Sequence, residues 1–179
     1  DDRLVFWGRT PPEGLQELSD KTGASLVRIE DGFIRSVGLG SDLIPPQSLV
    51  MDNRGIYFDP GQASDLEHIL NTTSFMPDEI KRASNIREII VEHGITKYNI
   101  EPRDSLQLHT GDREVVFVPG QVEDDASIQF GCEDIKTNLG LLKAVRQAHP
   151  DALIIYKPHP DVMANNRVGH LKMIDAQTY

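Results

Sequence analysis

Cysteine is almost absent from this chain. Its single instance among 179 residues, Cys132, excludes an internal disulfide framework and fits a reducing compartment. Cys132 has no second cysteine and no histidine at metal-ligand spacing, so it reads as structural. Basic residues are scarce too: 18 Lys and Arg stand against 28 Asp and Glu, a formal net charge of −10. That balance argues against the basic footprint of nonspecific nucleic-acid binding, and no nucleic-acid partner is expected. Docking on an anionic membrane would need a local basic patch or a partner protein. Long apolar runs are missing, since nothing approaches the ~20 residues that span a bilayer. The amino end, DDRLVFWG, has neither the basic start nor the long apolar core of a secretory signal. No low-complexity tract or internal repeat stands out. The chain enters a strand almost at once and ends on MIDAQTY without a closing signal, so a piece of a longer protein is expected.

What is present is globular: 39% hydrophobic and 26% charged residues. Leu4–Trp7 reads as a buried strand, and Thr10-Pro11-Pro12-Glu13 has the form of a capping box with proline at the first helical position. Leu15 and Leu18 would carry that helix's apolar face, Gly23 would end it, and Ser25–Ile29 would be the next strand. This βαβ pattern predicts a parallel sheet and an α/β class. From Glu30 to Asp59 the chain is rich in glycine and proline, with short strands predicted near 49–51 and 56–58. A long ordered loop region of this kind is usually functional. Ser64 should cap a helix to about Asn71. Met76-Pro77-Asp78 should open a longer helix, with Ile80, Ala83, Ile86 and Ile90 on one face and Gly94 at its end. The polar stretch 98–114 reads as a linker, with a boundary near residue 110 that divides the chain into 1–110 and 111–179. Beyond it come a strand at 114–118, a helix at 137–149 with Leu139, Leu142 and Val145 inward, and a strand at 152–156.

In open parallel sheets, ligands bind beyond the carboxyl ends of the strands. Three polar stretches lie there: EDGFIRS from Glu30, GQVEDDAS from Gly120, and KPHPD from Lys157. Two prolines hold His159 rigidly, which suits phosphate contact or acid–base work; the bland alternative is a strand-exit turn with the imidazole capped by backbone. Glu123, Asp124 and Asp125 fit helix-start acids, a metal site, or a glycosyl nucleophile with its partner. On spacing alone the helix-start reading leads. Arg35 fits a bidentate grip on a carboxylate or phosphate, or a local pair with a neighbouring acid. Gly38-Leu39-Gly40-Ser41 is a weak anion-nest pattern without a Walker or dinucleotide spacing. His68, His93, His109 and His149 read as solvated, and His170 follows the polar loop Asn166–Gly169.

Taken together, EDGFIRSVGLGSDLIPPQSLVMD with GIYFDP, then VPGQVEDDAS, then YKPHPDV with NRVGH, resemble the KpsC-type capsule polysaccharide biosynthesis proteins. These are retaining β-Kdo glycosyltransferases. The resemblance implies Rossmann-like parallel-sheet units of a two-lobed GT-B-type enzyme, with the second, nucleotide-binding lobe begun at residue 111 and incomplete at Tyr179. The fragment alone would then be inactive. It implies CMP-Kdo as donor substrate, no cofactor and no metal, and a lipid-linked, phosphatidylglycerol-based acceptor. It also implies a cytoplasmic location, peripheral at the inner face of the cytoplasmic membrane, with contact to the membrane or capsule assembly proteins. In the family's Gln-x-x-x-Asp pattern, Asp125 would be the nucleophile, with Asp124 the neighbour it is most easily confused with. Glu30 would transfer a proton, and His159 with Pro160 and Lys157 would meet the CMP phosphate or the Kdo carboxylate. Asp31, Arg35, Ser36, Gln121, Asp124, Ser127 and Arg167 complete the expected binding set. Two other readings compete: a non-catalytic scaffold of the capsule assembly, and a metal-dependent phosphohydrolase using Glu123, Asp124, Asp125 and His159 as ligands.

Overall fold

The computed structural model describes residues 2–102 and 107–172. The chain divides into two compact units, Asp1–Arg103 and Asp104–Tyr179. In unit 1, β1 (Arg3–Trp7), α1 (Leu15–Thr22) and β2 (Ser25–Asp31) form the expected βαβ unit. The two strands pair in parallel, from Arg3 opposite Ser25 to Trp7 opposite Ile29. The start of α1 differs from expectation. No capping box forms at Thr10; the helix starts at Leu15, behind Gly14 in the left-handed region at φ 79°. The residue before a proline is driven away from helical backbone, so the Pro11-Pro12 pair delays the first turn. Gly23 does end the helix, with φ 73° and its N–H on Ser19 O at 2.8 Å.

The third strand, β3 (Leu49–Asp52), pairs antiparallel with β2, so the sheet of unit 1 is mixed rather than purely parallel. No strand forms at 56–58. Ile56 is instead a fully buried plug in a turn whose Asp59 N–H returns to Ile56 O. The turn is pinned by Asp52, 1% exposed, which accepts the backbone N–H groups of Arg54, Gly55 and Asp65 at 2.8–3.0 Å. Phe6, Val27, Leu39 and Ile56 form the apolar centre of this unit.

Ser64 caps α2 (Asp65–Thr72) by accepting Glu67 N–H at 3.0 Å. Asp65 accepts from Asn53 N, and that bond, with Arg54 beside it, outweighs burial and holds the carboxyl below its ordinary range. Pro77 opens α3 (Pro77–Glu92), as its N1 position favours. The apolar face expected of α3 does not enter a core: no α3 residue is buried, and Ile80 is 56% exposed.

In unit 2, β4 (Val115–Pro119) and β5 (Leu153–Lys157) pair in parallel, from Val115 opposite Leu153 to Pro119 opposite Lys157. Between them lie α4 (Ala126–Gly131) and α5 (Asn138–Ala148); α6 (Pro160–Met163) follows β5. Leu142 is buried on the inward side of α5, with Val118, Val122, Ala152 and Val162 completing the core. His149 is not simply solvated. It ends α5 and its Nδ1 lies 3.0 Å from Glu114 Oε2. His68, His93 and His109 are exposed, as expected.

Candidate functional site

The parallel register brings β4 and β5 out side by side, so the loops after Pro119 and after Lys157 leave from one edge. Within unit 2 those loops are cross-braced. Asn138, 3% exposed at the start of α5, accepts Gln121 N–H on Oδ1 at 2.8 Å. Its Nδ2 donates to Gln121 O at 2.8 Å and to Gly169 O at 2.9 Å. Its own N–H meets Glu123 Oε1 at 2.8 Å, and Glu123 N–H donates to Val168 O at 3.0 Å. A side-chain amide with both ends used in this way locks three chain segments together. Gly169 permits it: its φ is 133°, and an added Cβ would meet Asn138 Nδ2 and Gln121 O at 2.8 Å each.

The acids of this loop have separate partners. Asp125 is the N-cap of α4; its Oδ1 accepts Ser127 N–H at 2.9 Å and Ser127 Oγ–H at 2.6 Å. Both bonds fall on one oxygen, and Oδ2 makes no hydrogen bond among the described residues. Asp124 Oδ1 pairs with Arg167 Nη2 at 2.9 Å near the surface. Glu123 faces the first turn of α5. His159 Nδ1 accepts Asp161 N–H at 3.2 Å, so the imidazole caps α6, with Pro160 at its first position. A ring that accepts at Nδ1 carries its proton on Nε2. Lys157 is exposed at the end of β5, and His170 is exposed beyond Gly169. The four groups required by a phosphohydrolase metal site, Glu123, Asp124, Asp125 and His159, thus turn to four different partners. Among the described residues no cluster of three or more His, Cys, Asp or Glu is placed to hold a metal ion.

Beside this loop lies a groove of about 400 Å³. Ile128, Ile135 and Leu141 make it largely apolar, and Gln121, Glu123 and Asn138 supply polar atoms on its wall. Such a mix suits a flat, partly polar ligand. Tyr156 stands behind the loop with its ring against Gly120, where an added Cβ would collide with the phenol oxygen. The phenol oxygen is buried with no hydrogen-bond partner among the described residues, and burial, then the Glu123 charge, push its pKa up. Tyr156→Phe is therefore expected to be neutral, or to stabilise by up to about 1 kcal/mol. Urea midpoints of the two proteins check this; a clear loss of stability would show that the hydroxyl is bonded after all.

The unit 1 loop departs further from its expected role. Glu30 Oε1 accepts Asp31 N–H at 2.9 Å. Arg35 is 6% exposed and turned into the loop, its Nε 2.7 Å from Asp31 Oδ2 but without hydrogen-bond alignment. Its Nη1 donates to Ser36 Oγ at 3.0 Å and Ile44 O at 2.7 Å. Arg35 is thus a keystone of residues 30–47, the local-pair alternative made internal, rather than a grip open to a ligand. Ser36 is likewise buried, with Oγ–H on Gly38 O at 2.7 Å. The anion nest at Gly38–Ser41 does not form: Gly38 N–H is used by Tyr98 O, and Gly40 packs so closely on the Arg35 guanidinium that a Cβ would lie 2.8 Å from Cζ. Asn138, Gly169 and Asp52 are the structural determinants that sequence reasoning missed, since their partners lie 17, 31 and 13 residues away.

The family described as capsule polysaccharide biosynthesis protein matches residues 2–111 and 100–177. The chain is 46% identical over 179 residues to the capsule polysaccharide modification protein LipA of Neisseria meningitidis, spanning all of this chain and 25% of LipA. It is 41% identical over 167 residues to the lipopolysaccharide-processing protein LpsZ of Rhizobium meliloti, spanning 92% of this chain and 38% of LpsZ. Among solved structures, the β-Kdo 2,4 transferase of Thermosulfurimonas dismutans KpsC superposes with a TM-score of 0.76 at 31% identity. It covers 92% of this chain and 51% of that one. The β-Kdo 2,7 transferase of the same organism's KpsC gives 0.67 at 36% identity, over 99% of this chain and 50% of that one. This chain therefore spans a quarter to about half of these relatives. It belongs to the capsule polysaccharide biosynthesis protein family, as a piece of a KpsC-type protein.

Proposed function

We propose that the protein containing this chain is a retaining glycosyltransferase that moves Kdo from CMP-Kdo to a lipid-linked, phosphatidylglycerol-based acceptor in capsule assembly. The observation that carries this reading is the Asp125 carboxylate. It stands beyond the carboxyl end of the parallel strand β4, at the N-cap of α4, oriented by two bonds to Oδ1, with Oδ2 unbonded among the described residues. A carboxylate held by one oxygen and presenting the other is arranged as a nucleophile. In the first step Asp125 Oδ2 bonds to the anomeric carbon as the bond to the CMP phosphate oxygen breaks and CMP leaves. In the second, an acceptor hydroxyl gives up its proton and attacks the same carbon from the opposite face, releasing Asp125. Two inversions give net retention.

The remaining roles follow the family resemblance. Glu30 takes the acceptor proton, and His159 and Lys157 meet the phosphate that leaves with CMP. Gln121 lies in the adjoining groove, where the donor's planar base would fit. Arg167, already paired with Asp124, is the nearby guanidinium for the Kdo carboxylate. A lipid-linked acceptor places the work at the inner face of the cytoplasmic membrane; no helix among the described residues is long and apolar enough to cross one. No metal or cofactor enters these steps.

The test is intact-mass spectrometry of the whole natural protein incubated with fresh CMP-Kdo and no acceptor. A mass gain of one Kdo on the protein is expected, discharged when acceptor is added. Turnover without an adduct would overturn the covalent step. Neither adduct nor turnover would leave the protein a scaffold of the capsule assembly.

A further inference from the structure

Unit 1 holds a second concave site, formed by residues to which the steps above give no role. It is a pocket of about 310 Å³ just beyond the carboxyl end of β1, lined by Arg9, Thr10, Arg28, Asp59, Gly61 and Gln62. Arg28 lies opposite Phe6 in the β1–β2 register, with its guanidinium carbon 5.4 Å from the Phe6 ring centre. Its Nε donates to Arg9 O at 3.3 Å. The ring face and the Nε bond together fix the plane of the guanidinium. Nη1 and Nη2 make no hydrogen bond or ion pair among the described residues.

The carboxylates nearby are otherwise engaged. Asp59 Oδ2 pairs with Arg9 Nε at 2.7 Å, and its Oδ1 accepts Gly61 N–H at 3.0 Å. Burial raises the Asp59 pKa, but the Gly61 bond and the charges of Arg9 and Arg28 overcome this and hold it low. Asp52, the β3 register partner of Arg28, uses both oxygens on three backbone N–H groups. An oriented guanidinium fork is therefore left over, in a chain of net charge −10.

A planar fork with two unused donors matches the two oxygens of a carboxylate. The ionised Asp59 at the same pocket, both its oxygens already bonded, disfavours a dianion such as phosphate, and the exposed Thr10 and Gln62 offer polar atoms to ligand hydroxyls. We infer that this pocket is a subsite for a hydroxylated carboxylic acid, its carboxylate bidentate on Arg28 and its hydroxyls on Thr10 and Gln62. That the acid is a sugar of the lipid-linked acceptor rests on the transferase reading; the preference for a hydroxylated acid does not.

The test is calorimetric titration of the intact natural protein with the methyl glycoside of Kdo, which cannot serve as a donor. Saturable binding is expected, weakened about tenfold or more in Arg28→Gln and equally weakened for the uncharged methyl ester of the same glycoside. Circular dichroism establishes whether Arg28→Gln is folded. Should it misfold, Gln62→Ala and Thr10→Val at the exposed rim replace it, each expected to weaken binding about threefold. Unchanged affinity in the folded variants, or inorganic phosphate binding as tightly as the glycoside, overturns the inference. Turnover of CMP-Kdo separates the two readings. Arg28-dependent binding without turnover keeps the subsite and sinks the transferase; turnover with Arg28→Gln unaltered in glycoside affinity and acceptor KM does the reverse.

Discussion

Asp125→Asn is expected to reduce transfer by about a thousandfold or more while leaving unit 2 folded. Asparagine is as good an N-cap as aspartate, so its Oδ1 can still accept the Ser127 N–H and Oγ–H that start α4. What changes is the other atom, where an amide nitrogen replaces the unbonded Oδ2. An amide does not attack an anomeric carbon, so the covalent step is lost without a structural cause to blame. Rates with CMP-Kdo and acceptor, measured beside the urea midpoint, separate the two effects. Asp124→Asn supplies the contrast. It releases an exposed pair with Arg167, a contact of small structural value, and is expected to lower the rate about tenfold through the freed arginine. Loss of all activity in Asp124→Asn, with Asp125→Asn still active, would move the nucleophile to Asp124. Full activity in both variants would remove the carboxylate from the mechanism.

Asn138→Ala is expected to destabilise unit 2 by about 3 kcal/mol, a large change for a single truncation. The substitution leaves the Gln121 N–H and the Gln121 and Gly169 carbonyls without their partner. The orphaned backbone groups, the Gly169 carbonyl buried and those of Gln121 partly so, carry most of that cost, because no rearrangement of alanine can reach them. The effect should also be local before it is global. In hydrogen exchange, the Gln121 amide should lose protection by about a hundredfold or more, while amides of β1 and β2 in unit 1 keep theirs. Asn138→Asp should do no better, since the atom replacing Nδ2 is an acceptor facing two carbonyls. Protection unchanged at Gln121 in Asn138→Ala would show that the loops are held without the amide.

These expectations draw on different levels of the molecule. The sequence by itself determined what depends on neighbours along the chain. Ser64 and Thr137 cap their helices because a hydroxyl three residues ahead of an N–H is a local geometry. Gly23 ends α1 because glycine alone adopts its left-handed backbone without strain. Alternation of strand and helix was enough for parallel pairing of β1 with β2 and β4 with β5, and long ordered motifs were enough for the family. Local rules also failed locally, when Pro12 kept Pro11 from the helical backbone that a capping box at Thr10 needs.

The tertiary structure alone decided how those elements use their side chains. Arg35 looks like a ligand grip in the string EDGFIRS, but chain folding over residues 36–47 turns it inward. Asn138 carries no motif, and its weight comes from two loops that meet it from distant parts of unit 2. The β3 strand could not be assigned its direction from its four residues, because hydrogen-bonding direction belongs to the pair and not to the strand. Asp124 and Asp125 are adjacent and chemically identical in the sequence, and only the fold shows that Asp125 holds Ser127 while Asp124 pairs with Arg167. Residues four apart in a motif say that an acid is present. Only the positions of Ser127 and Arg167 in space say which of its oxygens carries the hydrogen bonds.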